Sequence, residues 1–362
     1  MTSWFPRVAF TLASALALPV WAQTAAPPTL ASCAEIGAAA DRLACYDLLA
    51  GRATPRAAAP AASAAAPDVS TRLAATEPTN TVAPQPAPSS SLLSKFWELD
   101  AGDKRGIFNF TGYQPNFVLP VHMTNHINRA PQSPTQAVVD VPDYRRVEAK
   151  LQISLRTQLA QGLVFPGGDL WAGYTQQSFW QVYDSADSRP FRNTDYQPEL
   201  MYVLATPEPV RYLPFGWQWR YGELALAHQS NGQSDPLSRS WNRVYFGFGL
   251  EHGDTSLVVN LQHRLHESLA NDNNPDLVHY RGNSDFQLHW TPGAATASLL
   301  YRTTPSSFKR GAVQFELTYP VFHDQPNGLR YFLQAFSGYS ETLTDYNFRQ
   351  TSVGAGLSFL QF

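Results

Sequence analysis

His228, Ser230 and Asn242 are a base, a nucleophile and an orienting amide, the three roles that acyl transfer through a serine ester needs. In an extended strand, residues two apart lie on one face, so His228 and Ser230 project side by side, together with Leu224 and Leu226. Asn242 opens a second alternating run, WNRVYFGFGLE, in one row with Val244, Phe246, Phe248 and Leu250. Trp241, Arg243, Tyr245 and Glu251 make up the other row. Between the two runs lies a loop rich in Asn, Gly, Ser, Asp and Pro, and hairpin pairing across it would gather all three polar groups. Polar catalytic groups on an oily row make little sense in a soluble protein, whose oily side is its core. They suit a wall whose oily side meets lipid and whose substrate is that lipid.

The rest of the chain supplies such a wall. Leu151, Ile153 and Leu155 alternate with Gln152, Ser154 and Arg156; Leu257, Val259 and Leu261 with Asn260, Gln262 and Arg264; and Val313, Phe315, Leu317 and Tyr319 with Gln314, Glu316 and Thr318. Runs of this kind near 116, 151, 171, 199, 221, 242, 256, 281, 296, 312, 330 and 353 predict an all-β fold, a transmembrane antiparallel β-barrel of about 12 strands. The even number leaves both chain ends in the periplasm. A soluble β-sandwich would also alternate, but its dry core could not hold Arg156, Arg243, Arg264 and Glu316 unpaired. Tyr174, Trp180, Tyr245, Trp290, Tyr301 and Tyr319 are candidates for aromatic girdles at the membrane interfaces. The formal net charge is -3 and there is no basic block, so nucleic acid is not an expected partner.

Ahead of the barrel, residues 1–22 read as a signal peptide: Arg7, an apolar run, then Val20-Trp21-Ala22 as a cleavage site. Residues 23–50 predict a short helical segment in which Cys33 and Cys45, the two thiols of the chain, form a disulfide in an oxidising compartment. Residues 51–92, rich in Ala, Pro, Ser and Thr, predict a disordered periplasmic linker. Residues 93–362 form the barrel, entered through an approach segment that starts SKFWELDAGDKRG.

The string HQSNGQSDPLSRSWN, from His228 to Asn242, resembles the signature of the outer membrane phospholipase A family. The resemblance continues in YTQQSFWQ from Tyr174, NDNNPD from Asn271 and SGYSETLTDYNFRQTSVG from Ser337, and covers roughly Tyr113 to Phe362. It implies a calcium-dependent phospholipase A1/A2 with lysophospholipase activity in the outer membrane of a Gram-negative bacterium. The active site would face the outer leaflet, with the N-terminal extension in the periplasm. By the same resemblance the backbone N–H of Gly232 and a calcium-bound water form the oxyanion site. Ser238 and the carbonyl of Gln233 hold the catalytic Ca2+, and Ser188 contributes from a second subunit. A secondary calcium site pairs Asp235 with the position of Asn273, where relatives carry a carboxylate. The active form is then a homodimer, with Gln176 at the contact. Two rivals remain: a barrel esterase acting on another lipid, and a catalytically silent porin-like barrel.

Overall fold

The computed structural model describes residues 29–50 and 91–359; the expected signal peptide at 1–22 and most of the expected linker at 51–92 lie outside the described residues. The chain divides into two units, Met1–Thr79 and Asn80–Phe362. In the first, helices α1 (Leu30–Ala34) and α2 (Ala39–Leu49) are joined by the Cys33–Cys45 disulfide. Thr29 caps α1, its hydroxyl accepting from the Ser32 N–H.

The second unit is a closed antiparallel barrel. Its twelve staves are β2 (Asn116–Thr124), β3 (Val147–Ala160), β4 (Gly168–Trp180), β5 (Phe191–Ala205), β6 (Gln218–Ser230), β7 (Ser240–His252), β8 (Thr255–Arg264), β9 (Ser284–Trp290), β10 (Thr296–Thr303), β11 (Gly311–Pro320), β12 (Arg330–Gly338) and β13 (Gln350–Phe359). Each pairs with its sequence neighbour, and β13 returns to β2 to close the ring. A three-residue strand, β1 (Phe110–Gly112), prolongs the first stave along β3. The alternating run expected near 281 starts instead at Ser284. Leu277–Arg281 forms a helical turn, because Gly282 N–H bonds back to Val278 O before the strand begins.

Around the closure seam the ladder steps past Pro120, which has no N–H to give. Register shifts flank it on both sides, between Leu119 and His122 against β3 and between Ala355 and Leu357 against β13. Gly356 is what lets the strands stay close here: a Cβ would come within 2.1 Å of the Val118 carbonyl oxygen.

Inside and outside follow the alternation. Leu224, Leu226, Phe246, Val313, Phe315 and Leu317 face out and are exposed, whereas Glu148, Lys150, Arg156, Glu223 and Arg243 are buried toward the lumen. A wall with charge inside and aliphatic side chains outside is stable only with hydrocarbon around it. Tyr245, a girdle candidate by sequence, is one of the inward residues: it is buried, and its hydroxyl donates to Glu199 at 3.3 Å. Strand parity places it in the row of Arg243, and parity wins over aromatic character.

The lumen is not an open channel. The last two residues of the expected 51–92 linker cap and open a helix instead: Leu92–Trp97 forms α3, whose Leu92 N–H and Ser91 cap are held by Glu251 at the end of β7. Trp97 packs edge-on against Trp171 and Tyr221, at ring separations of 5.5 and 5.8 Å. Arg156 lies over the Phe96 ring and donates to the carbonyls of Gly112 and Phe96. At the opposite end the loop 339–349 folds inward. Leu343 and Tyr346 are buried with Trp241 and Leu277, and Glu341 meets Lys150 and His122 on the wall. Between these two stoppers remains a polar cavity of about 180 Å³, lined by groups such as Gln152, Gln197, Glu199, Arg243 and Gln262.

Candidate active site

Strand pairing sets His228 directly opposite Asn242, and Ser230 opposite Ser240. His228 is exposed and Asn242 half-buried, both on the outer wall beside the exposed Leu224 and Leu226. His228 Nδ1 and Asn242 Oδ1 are 2.8 Å apart. An amide oxygen accepts only, so this contact puts the proton on Nδ1 and leaves Nε2 as the basic nitrogen. Ser230 shares the His228 face of β6, two residues on. No hydrogen bond joins its hydroxyl to the ring among the described residues.

The loop that follows is organised by Asn231, which sequence reasoning passed over. Its buried side chain donates to Leu237 O at 2.8 Å and to Thr344 Oγ1 at 3.0 Å, and accepts from Arg239 N at 2.9 Å and Gln233 N at 3.3 Å. One amide thus ties both limbs of the loop together and to the inward-folded 339–349 segment. Gly232 follows at φ +64°, a left-handed conformation, with the Tyr196 ring against its α-carbon.

The expected calcium ligands fall into two groups. Ser238 and Gln233 sit in this loop, and the Gln233 carbonyl has no hydrogen-bond donor among the described residues. Hydroxyl and carbonyl oxygens of this kind suit a hard cation. Ser188 lies in the neighbouring loop between β4 and β5, at the same end of the barrel, and is exposed. Asp235 and Asn273 are brought together, but by a side-chain amide: Gln136 Nε2 donates to Asn273 Oδ1 at 2.7 Å and to Asp235 Oδ1 at 3.3 Å. The Asn273 nitrogen in turn donates to Ser238 Oγ at 2.9 Å. No cluster of three or more His, Cys, Asp or Glu suited to a metal occurs among the described residues.

On the wall beside the site, Gln176 faces outward, accepting from the Tyr174 hydroxyl at 3.1 Å and donating to Ser178 Oγ at 3.4 Å. Thr194 also donates to Ser178, at 3.0 Å, so that two partly exposed polar side chains, Gln176 and Thr194, meet over the buried Ser178 hydroxyl.

A closed barrel with an apolar exterior, a stoppered polar lumen and a His–Asn pair beside a serine on its outer surface defines a class: the outer membrane barrel enzymes. Residues 93–359 match the phospholipase A1 family model, and the chain belongs to that family, the outer membrane phospholipases A. It is 36% identical over 275 residues to a putative phospholipase A1 of Neisseria meningitidis, spanning 74% of this chain and 69% of the relative. Against phospholipase A1 of Escherichia coli K12 it is 38% identical over 213 residues, 59% of this chain and 70% of the relative. The solved outer membrane phospholipase A of Escherichia coli superposes with a TM-score of 0.61 at 32% identity, covering 71% of this chain and 93% of that one. The Salmonella typhi outer membrane phospholipase dimer with bound calcium gives 0.61 at 33% identity, covering 71% and 94%. This protein is accordingly a phospholipase of the Gram-negative outer membrane.

Proposed function

We propose that the enzyme cleaves acyl esters of glycerophospholipids at the 1- and 2-positions, and of lysophospholipids, through Ser230, His228 and Asn242. The observation that carries this is the 2.8 Å His228–Asn242 contact on the lipid-facing wall, in the same outward row as Ser230. An acyl chain reaches these groups without leaving hydrocarbon.

Ser230 Oγ attacks the ester carbonyl while His228 Nε2 takes its proton. The tetrahedral oxyanion accepts from the Gly232 N–H. On collapse the His228 proton passes to the departing glycerol oxygen. Water, deprotonated by the same nitrogen, then attacks the acyl-serine and releases fatty acid. Catalytic hydrogen bonds are often long before substrate binds, so the open Ser230–His228 contact is compatible with closure in the complex. Asn242, being neutral, steadies the imidazolium less than an aspartate would, which places more weight on the oxyanion site.

Calcium fits the oxygens of Ser238 and Gln233, together with Ser188 of the partner subunit, and when bound would polarise a water toward the developing oxyanion. Dimerisation through Gln176 would then complete the site and keep lone subunits idle within their own substrate. In this reading the 231–239 loop faces the cell exterior, so that the outer leaflet is the substrate pool, and the Cys33–Cys45 hairpin lies in the periplasm.

Fatty-acid release from phospholipid in mixed micelles, with and without chelator, compares wild type with Ser230→Ala. Loss of hydrolysis in a correctly folded Ser230→Ala barrel supports the assignment; retention of it overturns the assignment. Lipopolysaccharide as the only acyl donor separates the enzyme from an esterase of another lipid.

A further inference from the structure

We propose that Glu267 is a positioning residue for the hydrolytic array, acting on His228 through Asn242; this rests on the Ser230–His228–Asn242 reading above. Asn242 Nδ2 donates to Glu267 Oε1 at 2.9 Å while Asn242 Oδ1 faces His228 Nδ1 at 2.8 Å. The three side chains form one chain of contacts: carboxylate, amide, imidazole.

An asparagine in this role has an inherent weakness. Its oxygen and nitrogen edges are nearly the same size, and half a turn about its last torsion exchanges them. Were the nitrogen to face His228, it would donate to Nδ1 and drive the proton onto Nε2, where it blocks the base. An ionised carboxylate accepts and cannot donate, so Glu267 holds the nitrogen edge and leaves the oxygen edge for the ring. It also places a negative charge at the far end of a polarisable amide, and that charge favours the imidazolium form. In this way the array recovers part of what a neutral Asn gives up.

The placement is built rather than incidental. Arg243 pairs with Arg264 at the end of the β7–β8 ladder, and Leu265 N–H then donates to the Asn242 backbone oxygen at 2.8 Å, extending the ladder by one rung. Glu267 follows two residues later and is half-buried. Arg264 anchors the far limb of the same loop, meeting Asp272 Oδ1 and Asn274 O, each at 2.6 Å. Other titratable side chains at this end include Tyr196 on β5, His228 on β6, Asp235 and Arg239 in the 231–239 loop, Arg243 on the lumen side of β7, His263 and Arg264 on β8, and His266 and Asp272 in the loop that follows.

The test uses the full-length enzyme in micelles and follows kcat and KM across pH for Glu267→Ala, Glu267→Gln and Glu267→Asp. Heat-modifiable gel migration verifies that each barrel is folded. Glu267→Ala is expected to lower kcat about tenfold with KM little changed, and to move the acid limb of the kcat/KM profile to lower pH, since losing the carboxylate makes the imidazolium less stable. Glu267→Gln should move the limb equally but lose less rate, because its oxygen still accepts from Asn242. Glu267→Asp should restore the limb in part. In an Asn242→Asp background the sign should reverse: there Glu267 faces a like charge with no N–H to receive, and Glu267→Gln should leave kcat unchanged or higher. An unmoved acid limb with kcat within twofold of wild type, or the same loss in the Asn242→Asp background, overturns the proposal. A Ser230-dependent enzyme indifferent to Glu267 sinks only this inference, whereas hydrolysis that survives Ser230→Ala sinks the site itself.

Discussion

Lys150 Nζ lies 3.0 Å from Glu341 Oε1, with both side chains shut off from water, and this contact fastens the loop after β12 to the inside of the barrel. The same carboxylate meets His122 Nε2 at 3.0 Å and Ser352 Oγ at 2.8 Å and accepts from Gln350. Removing it leaves the buried Lys150 ammonium without its counter-charge, with Gln334 Oε1 at 2.7 Å still accepting from it, so Glu341→Ala should cost about 3–5 kcal/mol in urea unfolding of the refolded barrel. Burial alone would raise the Glu341 pKa, but Lys150, His122 and Ser352 outweigh it and hold the carboxyl well below its ordinary 4.5. A folded-state value below the unfolded one gives stability that is complete above about pH 4.5 and is lost as pH falls toward the depressed value. Wild type should therefore weaken in acid more than Glu341→Gln does, measured as the unfolding midpoint against pH.

Gly232→Ala should abolish most activity without unfolding the barrel. At φ +64° an alanine is strained by roughly 1–2 kcal/mol, and its Cβ would approach Tyr196 Cε2 to 2.9 Å. The backbone must shift, carrying the Gly232 N–H out of line with the proposed oxyanion position. A loss of about 100-fold or more in kcat, with unchanged gel migration, is the expected outcome.

Chelation should stop hydrolysis, and Ser238→Ala should raise the calcium needed for half-maximal rate. The Asp235–Asn273 pair should behave differently. With Gln136 donating to both, it has no need of a cation, and Asp235→Asn should change calcium dependence little. Asn273→Asp combined with Gln136→Ala sets two carboxylates side by side with no donor between them. Titration by calorimetry should then reveal an additional calcium site, and its failure to appear would show that these two positions cannot be brought round a cation.

Gln176→Ala should reduce dimer recovered by crosslinking in calcium-loaded micelles and lower activity in parallel, with the monomer fold intact. The partly exposed Gln176 and Thr194 side chains are costly in hydrocarbon without further partners. Undiminished dimer would assign the contact elsewhere.

The wall of this protein was open to reading from residue types because a barrel in lipid enforces one rule at every stave. His228 and Ser230 could be placed outside simply by counting in twos from Leu224 and Leu226. What the rule does not reach is the interior and the loops. The six residues of α3 carry no periodic signal long enough to read, and their burial depends on Trp171 and Tyr221, far along the chain. Helix Leu277–Arg281 was masked by lying directly against β9. Glu267 sits in a stretch with no repeat at all, and its role depends on the one rung by which Leu265 lengthens a ladder.

Trp97 and its ring of aromatic neighbours close one mouth of the barrel, and the 339–349 segment fills the other. Porins sit in the same membrane to let solutes through; here the described residues leave no wide bore between the two stoppers, only the polar cavity of about 180 Å³. An enzyme built this way can reside in the outer membrane without its lumen serving as a pore of the porin kind.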